Sequence, residues 1–260
     1  IFCISYSNLI DFFNSSIFPE WAWRIPFMLS LPLALLTIYS RRFLVETPDF
    51  SDSIKQKVEI SGISSFVKKN SLNLFMIIFL AGGMGVTYQL SIIFMKQYLL
   101  IVVPATSIIM TSFSVLIVFV FGVSMPIAGL LADKFGKMIV VKSSLLLTLI
   151  SSILIAIAIH YQTVNLVLIS TIILAAAVAP FNALAHGVMI KAFSVNERYR
   201  GVSLGHTIGS MLMSGTAGYI SLYVMKEYKI MLFPVIYIAF FALVSFFVFF
   251  NFLKKSNKKD

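Results

Sequence analysis

The sequence has little charge for its length. Of its 260 residues only 12% are charged, whereas 59% are hydrophobic, and a soluble domain usually carries about twice that charged fraction. Apolar runs longer than about 18 residues recur along the chain, and runs of that length are typical of helices that cross a membrane. The composition therefore predicts an all-α, polytopic membrane protein and excludes an ordinary soluble domain.

Cysteine and acidic residues are also scarce. The one cysteine, Cys3, excludes an internal disulfide and cannot form a zinc site by itself. None of the ten acidic residues lies at the middle of a predicted complete span, where a carboxylate would have indicated a proton or cation site. No HExxH motif, Ser-His-Asp set or facing pair of carboxylates can be assembled. The sequence predicts no enzyme, no metal and no cofactor.

The basic residues are distributed unevenly between the two predicted sides of the membrane. Sixteen of the 20 Lys and Arg residues fall on one side, and such an excess marks the cytoplasmic side. This bias places the linker, the segment around Asp133 and the C-terminus in the cytoplasm of a multi-pass protein of the plasma (inner) membrane. The net charge of +10 is then explained by basic loops on the cytoplasmic side of a lipid bilayer, and no nucleic-acid partner is needed to account for it.

The apolar runs divide the chain into five parts. Residues 1–13 read as the end of a spanning helix, and because Ile1 stands in mid-apolar sequence we expect a missing upstream part. Residues 25–45 form a complete helix, and residues 46–71 form a charged cytoplasmic linker. The partly amphipathic pattern of the linker favours a helix on the membrane surface over a docking site for a partner. Residues 72–253 contain six apolar segments, and residues 254–260 form a basic cytoplasmic tail.

Two pairs of polar residues within the apolar segments are candidates to line an aqueous cavity that holds the solute. Tyr88 and Gln89 lie midway along one segment. Asn182 and His186 are four residues apart, so they share one face of another helix. The alternative for all four side chains is hydrogen bonding or packing between helices.

Glycine recurs at every fourth position at the start of one segment, at Gly201, Gly205 and Gly209. This spacing predicts a flat stripe on which another helix backbone packs closely. Static packing is the simpler interpretation of the stripe. The functional interpretation is that such a smooth face lets helices rock during transport.

A charged segment bracketed by glycines separates two long apolar runs at residues 129–137, which read GLLADKFGK. It resembles the loop signature of the major facilitator superfamily, G-x-L-a-D-r-x-G-r-k, with lysines in place of the usual arginines. In that superfamily the signature lies between helices 2 and 3 and again between helices 8 and 9, and a long linker follows helix 6. The resemblance places Asp133 in the 8–9 loop and implies a conformational-switch loop. Its members are Gly129, Asp133, Lys134, Gly136 and Lys137.

A narrower resemblance appears upstream. Residues 23–27 (WRIPF) and 46–50 (ETPDF) are similar to the helix 6 region of metabolite:proton symporters, most of all the proline/betaine group. The resemblance implies the C-terminal six-helix bundle of a twelve-helix transporter, together with helix 6 and the end of helix 5. Such a symporter takes up a small zwitterionic osmolyte or carboxylate with a proton by alternating access, and its other partner is the missing N-terminal half. The alternative is a truncated or split half-transporter with no activity on its own.

Overall fold

A computed structural model describes Arg24, Met28 and residues 30–43, 62–107 and 109–256. The chain divides into two units, residues 1–59 and 60–260, and each is described by itself. The predicted end of a helix at residues 1–13, most of the predicted linker and the last four residues of the tail lie outside the described residues.

The first unit contributes one described helix, α1, at Ser30–Arg41. It falls within the helix that the sequence predicts over residues 25–45. Its polar side chains bond to its own backbone: the Oγ1 of Thr37 donates to the carbonyl oxygen of Leu33 at 2.8 Å, and the Oγ of Ser40 donates to that of Thr37 at 3.0 Å. Hydroxyls satisfied in this way can be carried by a helix in an apolar environment.

The second unit is a bundle of helices joined by short connections. Two of its long helices contain a five-residue π-helical segment. In chain order the elements are α2 (Ile63–Lys69), α3 (Ser71–Tyr88), the first π segment (Gln89–Ile93), α4 (Met95–Val102), α5 (Met110–Phe135), α6 (Lys137–His160), α7 (Val164–Met189), α8 (Arg198–Gly209), the second π segment (Ser210–Ser214), α9 (Gly215–Glu227) and α10 (Phe233–Ser256).

Five helices in the described part of the chain are long and apolar enough to cross a membrane. They are Ser71–Ile93, Ser112–Phe135, Lys137–His160, Val164–Ala192 and Phe233–Asn251. The glycine-rich segment that the sequence predicts as a sixth span is also helical, from Arg198 to Glu227, but it is less apolar because α8 carries two arginines, a histidine and three glycines. The predicted all-α membrane fold is confirmed.

The core of the bundle lies where α3, α6, α7 and α10 meet. Side chains from all four helices are buried there, including Ile77, Leu145, Phe181 and Phe249. The outward faces of the helices are apolar as well: Phe119 of α5 and Phe247 of α10 are more than 60% exposed. A helix that is apolar on both its packed and its outer face is typical of a bundle surrounded by lipid.

Pro180 interrupts the regular hydrogen bonding of α7, and a serine of α6 repairs the break. Proline has no N–H and its ring pushes against the preceding turn. The Oγ of Ser144 donates to the carbonyl oxygen of Ala177 at 2.6 Å and accepts from the backbone N–H of Phe181 at 3.0 Å. Ser144 is buried, so its hydroxyl replaces a backbone bond where no water can do so.

The end of the predicted linker packs against the bundle. Phe66 of α2 is fully buried, and its ring lies 5.9 Å from that of Phe193 and 5.7 Å from the guanidinium carbon of Arg200. Phe66 therefore packs within the protein, whereas Ile63 and Val67 of the same helix are exposed. The expected membrane-surface helix stays a prediction, and the rest of the linker lies outside the described residues.

The predicted loop at residues 129–137 is mostly helix. Helix α5 continues to Phe135 and α6 begins at Lys137, so Gly129, Asp133 and Lys134 belong to the last turns of α5. Gly136 alone makes the connection, with a φ of 89° that residues with a Cβ rarely adopt. The loop expectation fails because the residues between the two glycines are compatible with a helix, and only Gly136 can reverse the chain.

Candidate functional site

Two π segments interrupt the helices that pack on each other at one side of the bundle. The first follows α3 at Gln89–Ile93, and the second follows α8 at Ser210–Ser214. The second π segment packs on α3, and the first contacts α9. Single π turns inside long helices are rare and occur often at functional sites.

Glycines line the contact between α8 and α3. A Cβ added at Gly205 would lie 2.6 Å from the Cγ2 of Ile77, and one added at Gly209 would collide with the carbonyl oxygen of Ile78. On the α3 side, a Cβ added at Gly85 would lie 2.5 Å from the Cβ of Ser214. We call this contact the glycine seam. The third residue of the predicted stripe, Gly201, packs instead against the ring of Phe193.

The four predicted cavity-lining residues have different neighbours in the structure. Tyr88 is the last residue of α3, and its ring lies 5.3 Å from that of Phe121. Gln89 opens the first π segment and is half-buried. The Nδ2 of Asn182 donates to the carbonyl oxygen of Val178 on its own helix, at 3.2 Å. Of the four residues, His186 alone lines the cavity described next.

A cavity of about 430 Å³ lies between the end of α7 and the start of α8. Its polar lining consists of two histidines, an arginine and three hydroxyl groups, with Ile190 and Val202 as the apolar remainder. The polar residues are His186, Arg198, Tyr199, Ser203, His206 and Thr207. A volume of this size suits a small organic molecule.

The rings of the two histidines are in contact in the lining of the cavity. The ring centroids of His186 and His206 are 5.0 Å apart, and the planes of the rings differ by 34°. The Nδ1 of His206 is 3.4 Å from the Oγ of Ser210, the first residue of the second π segment. Helix α8 therefore carries a cavity residue on one face and the glycines of the seam on the next face.

The cavity and the Asp133 segment lie at the same end of the bundle. The Nζ of Lys137 is 4.0 Å from the position that a Cβ on Gly187 would occupy. Asp133, Lys134 and Lys137 are all exposed, and the Nζ of Lys134 lies 5.3 Å from the ring centroid of Phe135. Among the described residues, no three His, Cys, Asp or Glu side chains converge to hold a metal ion.

An acidic residue beside the cavity ties two parts of this end together. Glu197 accepts hydrogen bonds from Lys69 at 3.1 Å, Ser194 at 3.0 Å and Asn70 at 3.4 Å. Burial favours its neutral form, but these bonds and the charge on Lys69 outweigh burial, so the pKa of Glu197 lies below its ordinary value. The connection between α7 and α8 is thereby fixed to the start of α3.

Sequence reasoning did not identify His206 and Arg198 as site residues. Each histidine taken alone fits a packed polar group. The signal that could have found the pair is the short connection between two antiparallel helices, since residues near the two sides of such a turn come close together in space. His186 precedes this connection and His206 follows it.

The sequence model of the Major Facilitator Superfamily matches residues 74–260. The ectoine/proline transporter ProP of Corynebacterium glutamicum is 22% identical over 90% of this chain and 49% of its own length. A Staphylococcus aureus protein (strain MSSA476), provisionally named a proline/betaine transporter, is 27% identical over 94% of this chain and 53% of its own. The proline/betaine transporter of Salmonella typhimurium is 25% identical over 87% and 47% respectively.

The chain thus spans about half the length of the curated relatives that it matches. No solved structure matches it significantly. The family and the names of these relatives indicate transport and not catalysis.

Proposed function

This chain belongs to the major facilitator superfamily, and we propose that it forms one half of a proton-coupled symporter for a small zwitterionic osmolyte or carboxylate such as proline or betaine. The substrate class is taken from the names of the relatives. The chain would supply one six-helix wall of a central cleft, and a second half would supply the other.

The observation that carries this proposal is the glycine seam with its two π segments. Small residues let two helix backbones approach closely, and α3 and α8 meet through glycines at this contact, with Gly209 directly against the backbone of Ile78. Interrupted helices are a recurrent feature of transporter binding sites. In this proposal the seam permits the rearrangement between outward-open and inward-open states, and Tyr88 and Gln89 lie where the first break begins.

The topology of the proposed transporter follows from the basic residues. The linker, the residues around the α5–α6 connection and the C-terminal tail carry 10 of the 20 lysines and arginines, which supports a cytoplasmic location for them at the plasma membrane. The cavity between α7 and α8 would then open toward the cytoplasm, because Lys137 lies beside it.

The same relatives support a second hypothesis, that this chain has no transport activity on its own. Because it aligns with about half of each relative, a central cleft would lack one wall unless a second half is supplied. The two hypotheses differ in a single measurement, which is uptake by the chain alone against uptake by the chain together with an N-terminal half.

The experiment is uptake of labelled proline and betaine into cells that express the chain alone or with the N-terminal half of a relative. We expect uptake only with both halves, and we expect a protonophore to abolish it. Uptake that persists without a proton gradient would overturn the proton coupling. Absence of proline, betaine and ectoine uptake with both halves would overturn the substrate class.

We further propose that Asp133 acts in switching between states and not in solute binding, since it is exposed on the last turn of α5. In the active pair of halves, Asp133→Asn should lower the maximal uptake rate by about tenfold and change the KM less than about twofold. Glu227→Gln is the control, because Glu227 is also exposed but ends α9. A raised KM with a normal maximal rate would contradict this role.

A further inference from the structure

We propose that the cavity between α7 and α8 binds a small carboxylate anion and takes up a proton with it on the His186–His206 pair. The inference rests on the proposed function and deepens it, because it names where a carboxylate-bearing solute and its proton would meet. Its chemistry, however, comes from the lining of the cavity alone and can be tested without any transport assay.

Every polar side chain that lines the cavity can donate a hydrogen bond, and none is acidic. Arg198 is permanently positive, the histidines become positive on protonation, and the hydroxyls of Tyr199, Ser203 and Thr207 are donors. The positive end of the α8 dipole lies at Arg198, the first residue of the helix. This combination suits an anion with several acceptor oxygens, and an arginine fork suits a carboxylate.

The spacing of the two rings links the anion to a proton. With centroids 5.0 Å apart, two imidazolium ions would repel each other, so the empty cavity disfavours charging both rings. A carboxylate beside them offsets that repulsion and favours their charged forms. Anion binding should therefore draw protons from solution and weaken as the pH rises.

The charged neighbours are consistent with this linkage. The Nζ of Lys137 is close to Gly187, next to His186 in sequence, and adds positive charge. Glu197, the nearest acidic residue in sequence to Arg198, is bonded to Lys69, Ser194 and Asn70. The other charged side chains described near this end do not line the cavity, and they include Lys68, Asp133, Lys134, Lys142, Lys191 and Arg200.

The chemistry of the lining argues against other ligands. A metal ion would find two histidines and no acidic ligand among the lining residues. A quaternary ammonium group would find one aromatic side chain, Tyr199, where a cage of several is usual. The anionic part of a zwitterion is therefore the part that this cavity recognises.

The test uses the purified chain in lipid nanodiscs with ring-labelled histidine, observed by NMR. The chain has three histidines, and His160 lies at the far end of the 24-residue helix α6, which makes it an internal reference. Acetate and glycine betaine should move the His186 and His206 signals and leave His160 unmoved. Choline, which has the same cation as betaine without the carboxylate, should move none of them.

Binding of acetate should be about tenfold tighter at pH 6 than at pH 8.5, because protons that are taken up with the anion are more available at the lower value. Arg198→Gln should weaken it at least tenfold, whereas Lys191→Gln removes a charge from the same connection without touching the cavity and should leave it unchanged. The double variant with His186→Gln and His206→Gln should remove the pH dependence of acetate binding. This double variant and Arg198→Gln must retain the helical circular dichroism of the parent chain.

Three results would overturn the proposal: choline acting as well as betaine, inorganic phosphate binding where acetate and betaine do not, or acetate affinity that is the same in Arg198→Gln. Failure of uptake in the two-half experiment would leave acetate binding intact. The proposed function and this inference therefore fail separately.

Discussion

The hydroxyl of Ser144 is expected to be the most stabilising of the buried serine hydroxyls in the described part of α6. It holds the two backbone groups that Pro180 leaves displaced, the carbonyl of Ala177 and the N–H of Phe181, at 2.6 and 3.0 Å. Ser144→Ala removes both partners at once. A buried backbone group without a partner costs about 1–3 kcal/mol.

Partial relaxation of α7 would restore part of that loss, so we expect Ser144→Ala to lower the free energy of unfolding by about 2 kcal/mol. Ser151→Ala is the matched control. Ser151 is equally buried on α6, but its Oγ donates only to the carbonyl of Leu147 in its own helix, at 2.6 Å. That carbonyl keeps its helical backbone bond, so the control should change stability by less than about 0.5 kcal/mol.

The measurement is unfolding of the purified chain by SDS in mixed micelles, followed by far-ultraviolet circular dichroism. Measuring the effect of Ser144→Ala in a Pro180→Ala variant gives a second check. Alanine at this position lets α7 form the backbone hydrogen bond from the N–H of Phe181 to the carbonyl oxygen of Ala177. In that background the effect of Ser144→Ala should fall below about 1 kcal/mol. The repair described for Ser144 is wrong if Ser144→Ala and Ser151→Ala destabilise equally. It is also wrong if Ser144→Ala has the same effect in the Pro180→Ala background as in the parent chain.

Three further substitutions test other contacts by the same unfolding assay. Gly136→Ala should destabilise by about 1–3 kcal/mol because its φ of 89° is unfavourable for a side chain, whereas Gly129→Ala, with open space around its Cβ, should be neutral or stabilising. Glu197→Gln should cost about 0.5 kcal/mol at pH 7, since Lys69 is 68% exposed. Because the pKa of Glu197 is lowered in the folded state, this contribution is present above the unfolded-state pKa and is lost as the pH falls through the lower folded-state pKa. Ser245→Ala should be neutral or stabilising by up to about 1 kcal/mol, because the buried Oγ has no hydrogen-bond partner.

The long apolar runs predict the membrane-spanning helices well because the bilayer imposes both their length and their composition. The resemblance of residues 129–137 identifies the family correctly. The same residues mislead about local structure, since a charged stretch at a membrane face can be the last turns of a helix as well as a loop. Gly136 makes the turn by itself, because among these residues it is the one whose backbone has a positive φ.

The breaks within helices were not predictable from the same patterns. A π segment closes one turn with an extra residue, and the pattern of apolar residues in these segments does not indicate where that turn lies. Gln89 was singled out as a polar residue in an apolar run, but nothing in the sequence indicated that a π segment begins there. Similarly, Pro180 predicts an interruption of α7, and nothing in the sequence assigns its repair to Ser144.

These irregularities separate the bundle into two kinds of contact. Between α6 and α7 the break at Pro180 is fixed by a buried hydroxyl with two short bonds, which makes that pair a rigid frame. Between α3 and α8 the breaks are flanked by glycines, and at Gly209 the two helices approach so closely that an added Cβ would collide with the backbone of Ile78. Because α8 also carries His206, and α7 in the frame carries His186, any displacement along the glycine seam changes the separation of the two rings. In a rocking mechanism the proposed carboxylate and proton site would therefore be assembled in one state and opened in the other.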